Sequence, residues 1–453
     1  MGLAVGGRCV SKGGLAMSSC LKVQGLLAAG AMLAGGCVAS VDSESAGEKV
    51  PPVENVAVGS EALQDSFTTD LESVPSVAYS TDRMMVVWNA KSGSNRLVVG
   101  QLFKQDGTPV GGSRVYVSNT HWKGAPKVAS SGSQFFIVYE DEYSPADHDL
   151  LGILTDSAGA PISTGFVVDF SGSYDFRPQV AWVASRGAYL VAADRYVQGG
   201  PTAGSYQIAT LGRYFLAPNT VQSPTQIVTW QPNVNGAIES IASGNGRIFA
   251  TWSRDTYHGA VAFADAATLT LGVMTELGDE FSLDQAPRAT YNSSNQRFGL
   301  AWRRQTSSGI SNTLVRTFPS GCFQWSCANA TQTVLTHDGN ITWLDSPAIA
   351  PLGSNFEVTV GVQGYNVQNG KNLALVTVGS TGIPSQTILS VNAPCSGSQW
   401  AVSDQVAAVG QGSRVLVAYR PGCTSMAAIQ ALELTATAGH TFPVSTSLFP
   451  PQP

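Results

Sequence analysis

A pattern with a period of 48 to 61 residues recurs seven times between residues 74 and 419, and it constrains the fold more than any other feature of the chain. Each copy opens with a short apolar stretch, usually after a proline, and continues through a polar turn into a strongly apolar strand. The first copy combines Val74–Ala78 with Met85–Trp88, and the last combines Gln405–Ala407 with Val415–Tyr419. Two further apolar runs follow the opening pair, which indicates four antiparallel strands per repeat.

Repeats of this length with four strands each are typical of propeller blades, because a lone four-stranded sheet cannot bury both faces and radial stacking covers them. Only 12% of the residues are charged and 48 are glycine, which suits short strands joined by tight turns. The sequence therefore predicts an all-β fold, a seven-bladed β-propeller of four-stranded antiparallel blades, over residues 56–453. An array of two-sheet sandwiches is the competing architecture, and the long period disfavours it.

Aromatic residues recur at the end of the second strand of the repeat. They are Trp88, Tyr139, Trp252, Trp302 and Tyr419. We expect these side chains to pack between blades. The units resemble degenerate β-propeller repeats of bacterial exported lipoproteins, which open with Pro-x-Val-Ala and close with Trp or Tyr. The resemblance covers residues 74–435, and it implies a fold without implying a function.

Residues 1–36 have the features of a secretory signal. Basic residues precede an apolar run, Leu26–Ala34, which is too short to span a bilayer. The run leads into Leu33–Cys37, a segment that resembles the bacterial lipobox, although Ala34 stands where that motif prefers a larger aliphatic residue. The resemblance implies a lipoprotein signal peptide and lipid attachment at Cys37. Cleavage by the ordinary signal peptidase, with Cys37 incidental, is the alternative.

Four cysteines remain once the signal and Cys37 are set aside, an even number that suits disulfides in an oxidising compartment. The expected pairs are Cys322 with Cys327 and Cys395 with Cys423. Residues 37–55 lack any periodic pattern and predict a flexible tether. We therefore expect a chain held by its lipid at a membrane of the bacterial cell envelope, on the exported side, with inner and outer membrane both open.

The sequence contains no strong catalytic motif: Gly-x-Ser-x-Gly, His-Glu-x-x-His, a phosphate-binding loop and Cys-x-x-Cys are all missing. The formal net charge of -6 provides no basic field for nucleic acid, which is not an expected partner. Four of the five histidines fall in loops of one predicted face, among them His148 between two aspartates. Loops of different blades lie far apart, however, so neither a metal site nor a cofactor is predicted.

One face of the predicted propeller is rich in charged and aromatic residues, although the chain as a whole is poor in charge. Connections from second to third strands and from blade to blade must both lie on this face. Loops on a rigid scaffold often carry recognition, so we predict a binding face there. The alternative is that the charges cap strands or pair between blades. The predicted binding face comprises Trp122, Glu140, Asp141, His148, Asp194, Arg195, Trp230, Arg254, Asp255, Arg303, Trp343 and Trp400.

The leading functional interpretation is a monomeric, non-enzymatic binding or scaffolding protein that recognises an envelope protein or a glycan through this face. The alternative is a carbohydrate-active hydrolase or lyase of propeller fold. That enzyme would work through carboxylates such as Glu140, Asp141, Asp194 or Asp255. An inverting hydrolase needs two carboxyl groups about 6.5 to 9.5 Å apart in a cleft, and a retaining one needs them about 5 to 5.5 Å apart, separations that the sequence does not reveal.

Overall fold

The structure is a computed structural model that describes most of residues 68–447. The longer stretches outside the described residues are 70–73, 216–222, 337–342, 364–370, 380–383, 390–405, 420–429 and 436–445. The predicted signal peptide, the tether and Cys37 therefore lie outside them. The described residues form thirty strands, which pair into antiparallel sheets, and two short 3₁₀ turns, Ala184–Arg186 and Trp325–Cys327.

The strands follow one another in chain order from sheet to sheet. Sheet 1 contains β1 (Thr68–Thr69), β2 (Ser76–Tyr79), β3 (Arg83–Ser92), β4 (Asn95–Lys104) and β5 (Pro109–Asn119). Sheet 2 contains β6 (Lys127–Ser130), β7 (Gln134–Ser144), β8 (Asp147–Asp156) and β9 (Phe166–Asp169). Sheet 3 contains β10 (Asp175–Val183), β11 (Ala188–Gln198), β12 (Gln207–Phe215) and β13 (Thr225–Thr229). Sheet 4 contains β14 (Gly236–Gly244), β15 (Arg247–Arg254), β16 (His258–Asp265) and β17 (Thr275–Leu277).

The remaining three sheets continue the series. Sheet 5 contains β18 (Ser282–Asn292), β19 (Arg297–Thr306), β20 (Ser311–Pro319) and β21 (Gln332–Thr336). Sheet 6 contains β22 (Trp343–Leu344), β23 (Ala348–Leu352), β24 (Asn355–Gln363), β25 (Lys371–Val378) and β26 (Pro384–Leu389). Sheet 7 contains β27 (Val406–Gln411), β28 (Arg414–Tyr419), β29 (Gln430–Thr435) and β30 (Thr446–Ser447).

The first strands of the sheets contact one another in a closed ring, in the order β2, β6, β10, β14, β18, β23, β27 and back to β2. Each of these first strands pairs on its outer side with the second strand of its own sheet. The ring therefore surrounds a central channel, and the later strands of each sheet lie progressively farther from it. This arrangement is a β-propeller.

The structure corrects the predicted fold, in which every blade had four strands. Sheets 1 and 6 have five strands, because β1 and β2 both pair with β3, and β22 and β23 both pair with β24. Pro75 and Pro347 directly precede β2 and β23 and have no N–H to donate, which accounts for the interruption of the inner strand. In sheets 3 and 5 the corresponding Pro178 and Pro287 instead sit within a register shift of one continuous strand.

The aromatic residues at the ends of the second strands are buried between neighbouring sheets, as predicted. Trp88 of sheet 1 packs in one cluster with Leu416 of sheet 7. Trp302 of sheet 5 packs with Phe249 of sheet 4. Both tryptophans are at most 1% exposed. Because these clusters join one sheet to the next, each sheet depends on its neighbours to bury its apolar faces.

The predicted disulfide between Cys322 and Cys327 is present, with Cα atoms 5.8 Å apart. It closes a short loop after β20 that contains the 3₁₀ turn Trp325–Cys327. Cys395 and Cys423 lie outside the described residues, so their pairing stays a prediction. Within the part of the chain that the structure describes, no helix is long and apolar enough to cross a membrane.

Candidate functional site

The predicted binding face corresponds to the top face of the propeller, which we define as the end where second strands finish and third strands begin. Connections between sheets reach the same end: Asn119, the last residue of β5, pairs with Arg96 near the start of β4. His121 and Trp122 follow one residue after the end of β5. The next residue, Lys123, forms an isolated antiparallel bridge with Asp141 of β7, so the connection enters sheet 2 at its top.

A polar residue follows the aromatic position at the end of several second strands, and its side chain bonds the backbone of the next sheet. We call these contacts sheet-to-sheet clamps. They are Asn89 Nδ2 to Lys123 O at 2.8 Å, Arg177 N to Glu140 Oε2 at 3.3 Å, Ile238 N to Asp194 Oδ2 at 2.8 Å, and Arg303 NH1 to Leu344 O at 3.1 Å. The clamps join sheet 1 to 2, 2 to 3, 3 to 4 and 5 to 6. Each also satisfies a backbone group of the incoming strand.

Two of the predicted face residues, Glu140 and Asp194, are therefore buried within clamps. Asp194 is fully buried and also accepts a hydrogen bond from Thr210 Oγ1 at 2.7 Å. Burial raises the pKa of Asp194 to about 7, against the opposing effects of the Thr210 hydroxyl and the Ile238 amide. The hydrogen-bond partners of Asp194, Thr210 and Ile238, thus lie inside the protein.

The top of sheet 2 holds a dense group of buried charged side chains. Lys123 is 2% exposed, and its Nζ donates to Asp141 Oδ1 and, at 2.6 Å, to Asn119 Oδ1. His148 is 3% exposed, and its Nδ1 lies 2.6 Å from Glu140 Oε1. A carboxylate only accepts hydrogen bonds, so the Nδ1–H of His148 is the donor. The polar groups of these side chains are paired, which is the condition for keeping them inside a protein.

Aromatic rings cross the top of sheets 2 and 3 in two groups, a row that runs from Trp122 to Tyr206 and a separate pair of His121 with Tyr143, and we call both together the aromatic arc. Its members are His121, Trp122, Tyr143, His148, Tyr174, Phe176, Tyr196 and Tyr206. His148 stacks on Tyr174 with ring centroids 3.7 Å apart. Tyr174 in turn meets Tyr196 edge to face at 5.6 Å. The rings thus support one another along the row.

Most members of the aromatic arc remain partly open to solvent. Tyr143 is 42% exposed, and all the others except His148 and Phe176 are half-buried. Burial raises the pKa of Tyr174 to about 12, and the charges of Glu140 and Glu142 act in the same direction. Burial also raises the pKa of Tyr196. Both phenols therefore remain protonated near neutral pH and can donate hydrogen bonds.

The other predicted face residues do not join the arc. Arg195 donates from Nε to Asp175 at 2.6 Å and pairs through NH2 with Asp169 at 2.8 Å, an ion-pair network that joins sheets 2 and 3. Trp230 is 6% exposed and meets Trp252 in the core. Arg254 forms an ion pair with Glu276 and Arg303 forms a clamp, both in other sheets. Asp255, Trp400 and the side chain of Trp343 lie outside what the structure describes.

The prediction selected only two members of the arc, Trp122 and His148, as binding residues, although the sequence also places Tyr143, Tyr174 and Tyr196 in loops of the same face. Tyr174 and Tyr206 stand directly before β10 and β12, and Tyr143 and Tyr196 stand near the ends of β7 and β11. A tyrosine at the top end of a strand is therefore the sequence signal that would have found them. Among the described residues, no group of three or more His, Cys, Asp or Glu side chains is arranged to hold a metal ion.

No family model matches the chain, and no curated protein matches it. Among solved structures, the polysaccharide lyase Uly1 aligns with a TM-score of 0.50 and 10% identity, over 86% of this chain and 96% of that one. Prolyl oligopeptidase B from Galerina marginata gives 0.48 and 10% over 84% and 52%. The propeller domain of the Trilobed protease from Pyrococcus furiosus gives 0.46 and 8% over 84% and 99%. At these identities the likeness shows the β-propeller fold alone.

Proposed function

We propose that this chain is a non-enzymatic glycan-binding propeller, anchored by its lipid at the bacterial cell envelope, and that the aromatic arc is its binding surface. The observation that carries the proposal is the row of supported, partly exposed rings on one face. Pyranose rings present apolar C–H faces that stack on aromatic rings, and hydroxyl groups that bond the polar groups beside them. Ligand sites in general combine aromatic walls with a few placed polar groups in this way.

Polar groups suited to sugar hydroxyls lie beside the arc. Glu142 follows the buried pair Glu140 and Asp141 along β7, and its side chain is 28% exposed. His148 Nε2 lies 3.9 Å from Glu142 Oε2. The Glu142 carboxylate therefore lies beside the aromatic rings, and this separation is too long for a close ion pair. The Tyr174 and Tyr196 hydroxyls add donors. An elongated row of this kind suits a chain of sugars better than a single residue.

A protein partner is the weaker candidate for this surface. The exposed large hydrophobic side chains among the described residues are Tyr143, Ile162, Val197, Val273 and Ile310. They are scattered over several sheets and form no contiguous apolar patch of the kind that marks a protein interface. The arc by contrast is narrow, aromatic and flanked by charge.

The alternative of a hydrolase or lyase receives less support. Glu140, Asp141 and Asp194 are buried, and each is engaged by a lysine, a histidine, a hydroxyl or a backbone amide. A hydrolytic pair must instead face the substrate across a cleft. Fold likeness to a polysaccharide lyase does not carry that activity over to this chain.

Replacing Tyr143 by alanine is expected to weaken glycan binding about tenfold, because the variant loses the most exposed ring of the arc. The purified full chain is screened on a glycan array, and the affinity for the best glycan is then measured by calorimetry. Ile162→Ala is the matched control, since Ile162 is 48% exposed in the connection at the opposite end of sheet 2. Equal affinities for the two variants, or a wild-type chain that retains no glycan, would overturn the proposal.

The lipid anchor rests on the segment Leu33–Cys37 and is tested separately. Cys37→Ser is expected to move the exported chain from the membrane fraction to the soluble fraction, because one lipidated cysteine holds it there. The measurement is sedimentation of membranes followed by immunodetection in pellet and supernatant. A variant that still sediments with membranes would contradict the lipobox assignment.

A further inference from the structure

Three charged residues lie on the inner strands that surround the central channel, close enough for their charges to act on one another. They are Lys127 of β6, Glu239 of β14 and Arg288 of β18, all half-buried. Lys127 and Arg288 occupy equivalent places, because each is the first residue to resume pairing with the second strand after the repeat proline, opposite Val138 and Ala301. In ring order, sheets 3 and 4 separate sheet 2 from sheet 5, so the two cations can approach each other only across the channel.

The carboxylate of this group is already satisfied. Glu239 Oε2 pairs with Arg288 NH1, which also donates to the Glu239 backbone oxygen. Glu239 Oε1 accepts a hydrogen bond from Ser253 Oγ at 2.8 Å. Glu239 therefore neutralises one of the two cations, and among the described residues of this group one positive charge is left without a carboxylate.

The remaining polar side chains at the equivalent ring positions differ in how they are used. The Ser76 hydroxyl accepts from Val128 N at 3.1 Å, and the Ser240 hydroxyl accepts from Ala289 N at 2.8 Å, so both serines bond the next sheet. Lys127 and Gln179 form no side-chain hydrogen bond or ion pair with any residue that the structure describes. An ammonium and an amide are thus available to the channel.

The electrostatic environment of Lys127 agrees with an excess of positive charge. Burial and the neighbouring charge of Arg288 lower the pKa of Lys127 to about 8, and the opposing effect of Glu239 does not compensate. A half-buried cation without a partner is costly, because the low-dielectric surroundings do not replace its hydration. A bound anion would supply the missing charge.

We propose that the central channel binds a small oxyanion between Lys127 and Arg288, with the Gln179 amide as a further donor. Lys127 contributes a point charge and three donors, whereas Arg288 keeps one arm on Glu239 and presents the rest of its guanidinium to the channel. The three donors come from sheets 2, 3 and 5. Binding in the channel would therefore tie together non-adjacent sheets, and it is independent of the aromatic arc.

Inorganic phosphate is the probe for the binding test, with the purified full chain. Calorimetry is expected to give a single site, and Lys127→Met is expected to weaken phosphate affinity at least tenfold because the unpaired charge is lost. Lys104→Met is the matched control, since Lys104 is exposed at the end of β4. Phosphate affinity that is equal in Lys127→Met and Lys104→Met would overturn the proposal.

A second measurement is made on the wild-type chain. A variant is needed only to assign the Lys127 signal. Lysine labelled with ¹³C at Cε reports the titration of each side chain, and the chain has only eight lysines. Phosphate is expected to raise the titration midpoint of Lys127 and to leave that of Lys104 in place, since an anion favours the protonated amine. A Lys127 midpoint that does not respond to phosphate would also overturn the proposal.

Discussion

Replacing Lys123 by methionine is expected to lower the free energy of unfolding by about 3 to 5 kcal/mol, the range for removing one partner of a buried ion pair. The side chains of Lys123 and Asp141 are 1% and 3% exposed, so the Asp141 carboxylate would be left buried without its ammonium partner. Asn119 Oδ1 would lose the Lys123 donor and keep only the His121 amide at 3.0 Å. His121 Nδ1, at 3.3 Å from Asp141 Oδ1, offers only partial replacement. Chemical denaturation at neutral pH measures the loss.

Lys104→Met controls for the loss of a lysine, and we expect it to change stability by less than about 0.5 kcal/mol because Lys104 is exposed. Adding Asp141→Leu to Lys123→Met should recover most of the loss, since exchanging both partners for apolar groups removes the unpaired charge. If Lys123→Met is no more destabilising than Lys104→Met, the ion pair does not stabilise the top of sheet 2. If the double variant is as unstable as the single one, the loss arises from packing and not from charge.

The sequence predicted the propeller because its evidence is repeated and local. An apolar strand that ends in Trp88 or Trp302 predicts the same second strand in each copy of the repeat. The burial of these tryptophans between sheets then follows from packing alone. The interruption of the inner strand at Pro75 and Pro347 was missed. A proline without an N–H can open a strand, break it or sit in a bulge, and the surrounding sheet decides between these outcomes.

The candidate site was harder to predict, because its contacts join residues that are distant in sequence. Glu140 bonds the backbone of Arg177, and Asp194 bonds that of Ile238, 44 residues away. A charged residue directly after a strand gives the same sequence pattern whether its side chain faces solvent or bonds the backbone of the next sheet. The effect of the Arg288 charge on Lys127 likewise depends on closure of the ring, which no local pattern encodes.

Glu357 is expected to make the protein less stable as the pH rises from about 4.5 to about 7, and Glu357→Gln is expected to remove that part of the pH dependence. Glu357 lies in β24, on the face opposite Val358 and Val360, which pack toward sheet 5. It is fully buried. Its Oε2 accepts from Thr377 Oγ1 at 2.6 Å, and its Oε1 has no hydrogen-bond partner in the part of the chain that the structure describes.

Burial raises the pKa of Glu357 from 4.5 to about 7, with the Thr377 hydroxyl opposing the shift. Between these two values the unfolded chain is ionised while the folded chain still holds the proton, so raising the pH favours unfolding. A difference of this size corresponds to about 3 kcal/mol once the pH is above 7. Glutamine is neutral at every pH, so the variant and the wild type should differ by a pH-dependent amount that levels off above pH 7.

The comparison between wild type and Glu357→Gln isolates Glu357, because Asp194 has a similarly raised pKa and acts in the same direction in both proteins. Chemical denaturation from pH 4.5 to 8 measures both stability curves. Glu276→Gln is the matched control, since the Glu276 side chain is 53% exposed and its removal should leave the slope almost unchanged. Parallel curves for wild type and Glu357→Gln would mean that the buried carboxyl is ionised in the folded protein, and its pKa would then not be raised.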